Sequence, residues 1–171
     1  MEEAVVSLRA IESTDALVLM ELNNDDTIAA SVVGNPAKVS LDQQMRWMAR
    51  LGDEKNTKRW MITFDGPAVG TIILSSIDMA NLTGNMNIKL LPAFQGKGIA
   101  KKALKLACDI AFDEIGLFCL TANVLTSNER SASLFKRIGF SVDGVLRSRV
   151  VKNGERRDLI TLSYLKSDRG V

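Results

Sequence analysis

The chain predicts a mixed α+β fold, and three observations carry that prediction. Apolar residues alternate at Trp60, Ile62 and Phe64, the period of a half-buried strand. They recur at helical spacing over Ile99, Ala103, Leu106, Ala107, Ile110 and Ala111. Between these two periods stands a glycine-rich turn, Gln95-Gly96-Lys97-Gly98-Ile99-Ala100, which leads the apolar run 86–91 and Pro92 into the helix. At 171 residues the chain is long enough to bury a core and is expected to form a single domain over 1–171.

The elements follow in order. Residues 5–9 read as a first strand. Ser13, Thr14 and Asp15 offer N-caps for a helix to about Leu22, and the polar break Asn23-Asn24-Asp25-Asp26 restarts a short helix that ends near Gly34-Asn35-Pro36. Ser40 with Gln43 forms a capping-box pattern for a helix through Arg50. The alternating strand at 60–64 turns at Asp65-Gly66 into a second strand, 69–77, as a hairpin. Thr83-Gly84-Asn85 reads as a turn into the strand 86–91. The long helix after the glycine turn stops at Gly116, and 117–125 is strand-like. Ser127 and Asn128 cap a helix that stops at Gly139. Residues 140–146 and 157–165 are the last strands, with Asn153-Gly154 as a type I′ turn signal.

Composition excludes several chemistries. The chain has no histidine, which removes Ser-His-Asp and Cys-His nucleophilic schemes and imidazole ligands for zinc. Cys108 and Cys119 lie among apolar neighbours and read as small buried hydrophobes, and no acidic cluster suggests a metal. A net charge of +2 gives no case for a nucleic-acid partner. No apolar run approaches the ~20 residues of a membrane span, and the acidic start Met1-Glu2-Glu3 lacks a signal-peptide core, so no membrane partner and a cytoplasmic location are expected.

The glycine turn carries the strongest chemical signal. Backbone N–H groups of such a turn and of the first helical turn converge on one spot, where the helix dipole adds positive charge. Glycine keeps a Cβ out of the ligand's way. Lys97, Lys101 and Lys102 place three cations around the same mouth. The turn fits neither a P-loop nor a dinucleotide-binding fingerprint, and a tight strand-to-helix turn is the plain structural alternative.

A second segment, Asn128-x-x-Ser131-x-x-Leu134-Phe135-Lys136-Arg137-Ile138-Gly139-Phe140, follows about one strand and one helix later. Together with Gln95-x-x-Gly98-x-Ala100 it resembles the GNAT superfamily, the Gcn5-related N-acetyltransferases that carry acetyl from acetyl-CoA to an amine. The resemblance covers nearly the whole chain. It implies a mostly antiparallel twisted sheet with helices on both faces and a central strand pair, 86–91 and 120–125, splayed by a bulge.

The resemblance also implies roles. Backbone groups of Ile88, Lys89 and Leu90 would pair with the pantetheine arm of CoA like an added strand. Gln95, Gly96, Lys97, Gly98, Ile99, Ala100 and Lys101 would hold the pyrophosphate. Asn128 would hydrogen-bond the arm; a plain N-cap is the alternative. A backbone N–H near Leu90 would polarise the thioester carbonyl. Phe135 would lie near the sulfur, where many relatives carry a tyrosine that protonates the thiolate. Phe135 cannot donate a proton, and the only tyrosine, Tyr164, reads as edge packing on the last strand. Asn85 and Asn123 occupy positions where relatives often place a glutamate base. Asn85, Asn123 and Tyr164 are thus the catalytic candidates, all weak donors or acceptors of a proton. Glu21, Asp25, Asp26 and Asp42 remain open as carboxylate bases.

Acceptor clues lie in the N-terminal part. Asn23-Asn24-Asp25 and the stretch 40–47 resemble the branch that acetylates amino-sugar nucleotides, polyamines and ribosomal-protein N-termini, although Gln44-x-x-Trp47 stands where relatives show His-x-x-Trp. Trp47 reads as core packing or as a cover for a flat ring. The expected activity is transfer of acetyl to a small-molecule primary amine by direct attack, with an amino-sugar nucleotide first and a polyamine or peptide N-terminus next. A polyamine would want acidic residues lining the cleft. A non-catalytic acyl-CoA-binding sensor is the rival class, and a homodimer is left open.

Overall fold

The computed structural model describes residues 5–170. The elements run β1 (Val6–Arg9), α1 (Ala16–Asn24), α2 (Asp26–Ser31), α3 (Leu41–Met48), β2 (Lys58–Phe64), β3 (Ala68–Asp78), β4 (Thr83–Leu90), α4 (Ile99–Asp109), β5 (Cys119–Leu125), α5 (Glu129–Ile138), β6 (Ser141–Lys152) and β7 (Glu155–Leu165). The strands form one open seven-stranded sheet in the order β1-β2-β3-β4-β5-β7-β6. Every neighbouring pair is antiparallel except β4 and β5.

Alternation along the strands divides the sheet into two faces. On one, Ile62, Ile72, Leu74, Met86, Leu120, Ala122 and Leu162 pack under α4 and α5, which contribute Ile99, Ala103, Leu104, Ala107, Ala132 and Phe135 to the same core. The opposite face carries Arg59, Thr71, Ile73, Asn85, Asn87, Lys89, Thr121 and Asn123, as the strand registers require. Helix α1 lies over β3 on that polar face, with α2 and α3 against it. A carboxylate from the start of this layer, Asp15, is 3% exposed and receives both ends of the Arg9 guanidinium at 2.7 Å, which ties β1 to α1.

Capping chemistry sets the helix ends. Asp25 accepts from the Thr27 and Ile28 N–H groups at the start of α2, and Ser40 and Gln43 close a reciprocal box on α3. Helix α4 runs on into a wide turn over 110–114 with an Ile115 N–H bond to Ile110 O, and ends at Gly116. Asn153 and Gly154 both have positive φ, 50° and 80°, in the β6–β7 turn.

Four sequence readings need correction. Thr83, Gly84 and Asn85 are not a turn but the first residues of β4; the chain reverses before them, where Asp78 accepts from the Ala80 and Asn81 N–H groups and Leu82 has φ 54°. Gly84 is small for packing: a Cβ there would stand 2.7 Å from Leu74 Cδ1 and 3.1 Å from Leu117 Cδ1. On α4 the core position is Leu104, while Leu106 is 38% exposed, because the buried stripe is set by Ile99, Ala103, Ala107 and Cys108. Helix α3 stops at Met48, short of Arg50. Strand β6 continues past Leu146 to Lys152 through an irregularity at Ser148, φ 51°.

Gly70 in β3 permits the closest approach in the sheet, since a Cβ would fall 2.4 Å from Lys89 O on β4. Gly70→Ala must push β4 outward and is expected to cost about 1–3 kcal/mol. Gly52, whose Cβ position is open, serves as the control. Urea unfolding should show a lower midpoint for Gly70→Ala at similar slope and little change for Gly52→Ala.

Candidate active site

The site begins where a strand ladder stops. Strands β4 and β5 pair only over Thr83↔Cys119, Gly84↔Leu120 and Asn85↔Thr121, and then diverge. The root of the split is pinned by side chains: Asn87 Nδ2 donates to Asn85 Oδ1 at 2.9 Å, Asn85 Nδ2 donates to Thr121 Oγ1 at 3.0 Å, and Thr121 donates to Gly84 O at 3.3 Å. Beyond that root, β4 has no strand on its outer edge from Met86 to Leu90. The expected splay is therefore present, but the expected bulge in β4 is not. The β3–β4 register runs unbroken from Gly70↔Leu90 to Ser75↔Asn85, and its one irregularity lies further on, between Ser75 and Asp78. The split comes from divergence of β4 and β5 themselves.

Three cavities meet along this edge. One of about 400 Å³ lies at the glycine turn, walled by Gln95, Gly96, Gly98, Ala100 and Lys101 on one side and by Asn128, Arg130 and Arg137 on the other. A second of about 410 Å³ occupies the split, between Met86, Asn87, Ile88 and Lys89 of β4, Asn123 and Val124 of β5, Phe135 of α5 and the loop 31–36. A third of about 290 Å³ lies on the polar face under α1 and α3, lined by Asn23, Gln44, Trp47, Arg59, Thr71 and Lys89 among others. Lys89 borders all three.

The walls are held by polar ties. Gln95 Nε2 donates to Leu90 O at 2.8 Å while its Oε1 accepts from Arg130 at 2.8 Å, so one side chain joins β4 to α5 across the mouth. Asn128 Oδ1 caps Ser131 N at 3.1 Å, and its Nδ2 donates to Ser31 O at 3.1 Å. The loop 31–36 is fastened on its other flank by Lys152, 7% exposed, whose ammonium donates to Ala29 O and Gly34 O at 2.8 and 2.7 Å. Asn35 adds a bond to Val151 O.

The expected site residues divide by place. Ile88, Lys89, Leu90, Gln95, Gly96, Gly98, Ala100, Lys101 and Asn128 line the cavity at the turn, and Phe135 lines the split. Gly98 is the N-cap of α4 with φ 79° and no side-chain cap, and nothing stands within 4 Å of where its Cβ would be. Ile99 is 1% exposed, so its side chain belongs to the core and only its backbone faces the turn. Lys97 lies over the Phe94 ring at 5.4 Å and borders none of the three cavities.

Asn85 is consumed by the network at the root. Asn123 is different: its Oδ1 is buried and without a hydrogen-bond partner, an acceptor beside the split that a ligand N–H would satisfy. Tyr164 packs, as expected, but on β7 between β5 and β6 rather than at a sheet edge, and it lines none of the three cavities. Its ring stacks near Phe112 and Phe140, at 5.3 and 5.4 Å, on the α4–α5 face, and burial raises its phenol pKa. Trp47 lines the cavity under α1 and α3, with the Arg59 guanidinium 5.2 Å from its ring.

The carboxylates left open by the sequence stay outside. Asp25 is an N-cap, Asp26 pairs with Lys38 at 3.1 Å, Asp42 pairs with Arg46, and Glu21 is exposed; none lines a cavity. Arg130, Arg137, Lys152 and the loop 31–36 were missed. Arg130 follows the Asn128 cap by two and so faces the turn, a placement readable in principle. Lys152 gave no signal, because its partners are carbonyls 118 and 123 residues away. Among the described residues there is no cluster of metal-binding side chains, and no helix is long and apolar enough to cross a membrane.

Comparison with known proteins places this architecture. A family profile described as an acetyltransferase (GNAT) domain matches residues 6–141. The spermidine N(1)-acetyltransferase of Escherichia coli (strain K12) is 27% identical over 157 residues, covering 92% of this chain and 84% of that protein. A putative ribosomal N-acetyltransferase of Bacillus subtilis (strain 168) is 26% identical over 170 residues, covering 95% and 92%. A spermidine N-acetyltransferase from Vibrio cholerae, crystallised with CoA and spermine, superposes with a TM-score of 0.89 at 24% identity, covering 95% of this chain and 96% of that one.

Asn128→Ala removes both a helix cap and a tie to the loop. The expected result is a loss of about 1 kcal/mol in stability, together with faster amide hydrogen exchange over 31–36 than in the parent protein.

Proposed function

The chain belongs to the GNAT acetyltransferase family, and from that premise we propose that it transfers acetyl from acetyl-CoA to the primary amine of a small molecule, with a polyamine as acceptor ahead of an amino-sugar nucleotide. The observation that carries the reading is the β4–β5 split, which opens directly from an uncapped, glycine-led helix N-terminus. An anion with a long amide-bearing tail fits that sequence of surfaces. Its phosphates meet the α4 N–H groups, Lys101, Arg130 and Arg137, and no carboxylate lines that cavity. Its arm lies against the bare edge of β4 at Ile88, Lys89 and Leu90 as a strand would.

The acetyl thioester supplies an electrophilic carbonyl at the split. The protein's part is to orient it with a β4 backbone N–H near Leu90, to keep water out with Phe135 and Val124, and to present the amine from the cavity under α1 and α3. Asn123 Oδ1 is the buried acceptor available to an incoming N–H. What favours a polyamine is that the Escherichia coli and Vibrio cholerae relatives are spermidine N-acetyltransferases; no relative described above supports the amino-sugar nucleotide. With no acid in the cavity walls, a polyamine here is held by neutral acceptors such as Asn23, Gln44 and Asn123 rather than by ion pairs.

Two measurements test this. Incubation with acetyl-CoA and a panel of spermidine, spermine, an amino-sugar nucleotide and a peptide amine, followed by free thiol, should show turnover with polyamines first. Calorimetric binding of CoA with no turnover on any amine would restore the non-catalytic sensor. Gly98→Glu places a carboxylate at the α4 N-terminus and is expected to weaken CoA binding by ~100-fold or more; unchanged affinity would remove the phosphates from the turn.

A further inference from the structure

An acceptor amine is an ammonium ion with a pKa near ~10 and must lose a proton before it can attack. The cleft offers no acid to take it, since no Asp or Glu lines any of the three cavities. One titratable side chain stands where all three meet, Lys89. It projects from β4 on the polar face opposite Thr71, and among the described residues no carboxylate or carbonyl holds its ammonium.

Its surroundings disfavour a charge. Burial lowers its pKa first, and the Arg59 guanidinium lowers it further. From β2 the facing charge is Arg59, itself held by Glu54 at 2.9 and 3.1 Å. From α1 and α3 the facing groups around that cavity are Asn23, Gln43, Gln44 and Trp47, all neutral; from β5 it is Asn123, from α5 Phe135, Arg130 and Arg137, and from α4 Lys101, so the only charges around Lys89 are further cations.

We propose that Lys89 is the proton carrier of the transfer: its Nζ, in the unprotonated form, takes a proton from the acceptor's ammonium and, once charged, gives that proton to the departing sulfur. The role rests on the acetyltransferase reading above. The balance is complete within the site. The freed nitrogen lone pair forms the C–N bond, the C–S bond breaks with its electrons on sulfur, and sulfur takes the proton from Lys89. The second nitrogen proton leaves to water, and Lys89 returns neutral. One side chain thus covers both the glutamate missing at Asn85 and Asn123 and the tyrosine missing at Phe135.

The alternative use of a half-buried cation is to anchor a carboxylate or phosphate on the acceptor, and Lys89→Arg separates the two. Arginine keeps the charge but cannot give up its proton. Lys89→Arg and Lys89→Met should both lower kcat by roughly 10²-fold or more at pH 7.5 with CoA affinity retained. In wild type, kcat/KM should rise with pH through the Lys89 midpoint; in both variants the rise should move up to the amine's own pKa. A readout without turnover is an NMR titration of lysine Nζ in the ligand-free protein, assigned with Lys89→Met. Its Lys89 signal should titrate below the exposed lysines near ~10.4. Rescue by arginine, loss confined to KM for amines bearing carboxylate or phosphate, or a Lys89 midpoint equal to that of exposed lysines would each overturn the role. If wild type binds CoA but acetylates no amine, the acetyltransferase reading falls and the proton role with it; turnover that survives both variants removes the proton role alone.

Discussion

The structure depends on one interrupted ladder. A parallel pair in the middle of a sheet is ordinarily the most buried and most fully bonded place in a fold, and here it lasts three residues on each strand. Stopping it leaves backbone N–H and C=O groups without partners near the centre of the molecule, a cost that the fold accepts only if something polar fills the gap. That is why the gap can receive an amide-rich arm with its own donors and acceptors. It also explains the strength of the fastening around it. The root is pinned by Asn87, Asn85 and Thr121, the mouth by Gln95 and Arg130, and the loop over it by Asn128 and Lys152.

The same interruption sorts charge. With the sheet opened from face to face, side chains of the polar face and of the apolar core both reach the split: Asn123 and Lys89 from one, Phe135 from the other. The cations that line the three cavities come from four different elements, Arg59 from β2, Lys89 from β4, Lys101 from α4 and Arg130 and Arg137 from α5, and no acid lines them. The resulting field favours a phosphate-bearing ligand and lowers the pKa of the Lys89 amine at the split. Two lysines, Lys152 buried and Lys89 half-buried, then serve opposite ends. Lys152 keeps two carbonyl partners and its structural place, while Lys89 has none and stays free to exchange a proton.

The sequence by itself determined the periodicities, and with them most elements. Ser40 with Gln43, Asn128, Gly116, Gly139 and Asn153-Gly154 announced their helix ends and turn, because caps and left-handed positions are decided by neighbours within a few residues. The turn Gln95–Ala100 and the helix after it were legible for the same reason, as was the family that they indicate. Where local signals misled, tertiary contact had overruled them. Gly84 looked like a turn and is a glycine because Leu74 and Leu117 leave no room for a Cβ; Leu106 lay on a plausible stripe, but the sheet chose the stripe through Leu104.

Only the tertiary structure decided what the site contains. The orphaned oxygen of Asn123, the closure by loop 31–36, the tie through Lys152 and the convergence of three cavities on Lys89 all join residues from distant parts of the chain. Such pairings leave no periodic or local trace, since a side chain's solvation and partners are properties of the space around it. Lys89 was visible as one residue in an apolar strand. That it is half-buried, without a partner among the described residues and at the meeting of three cavities follows only from how β4 parts from β5.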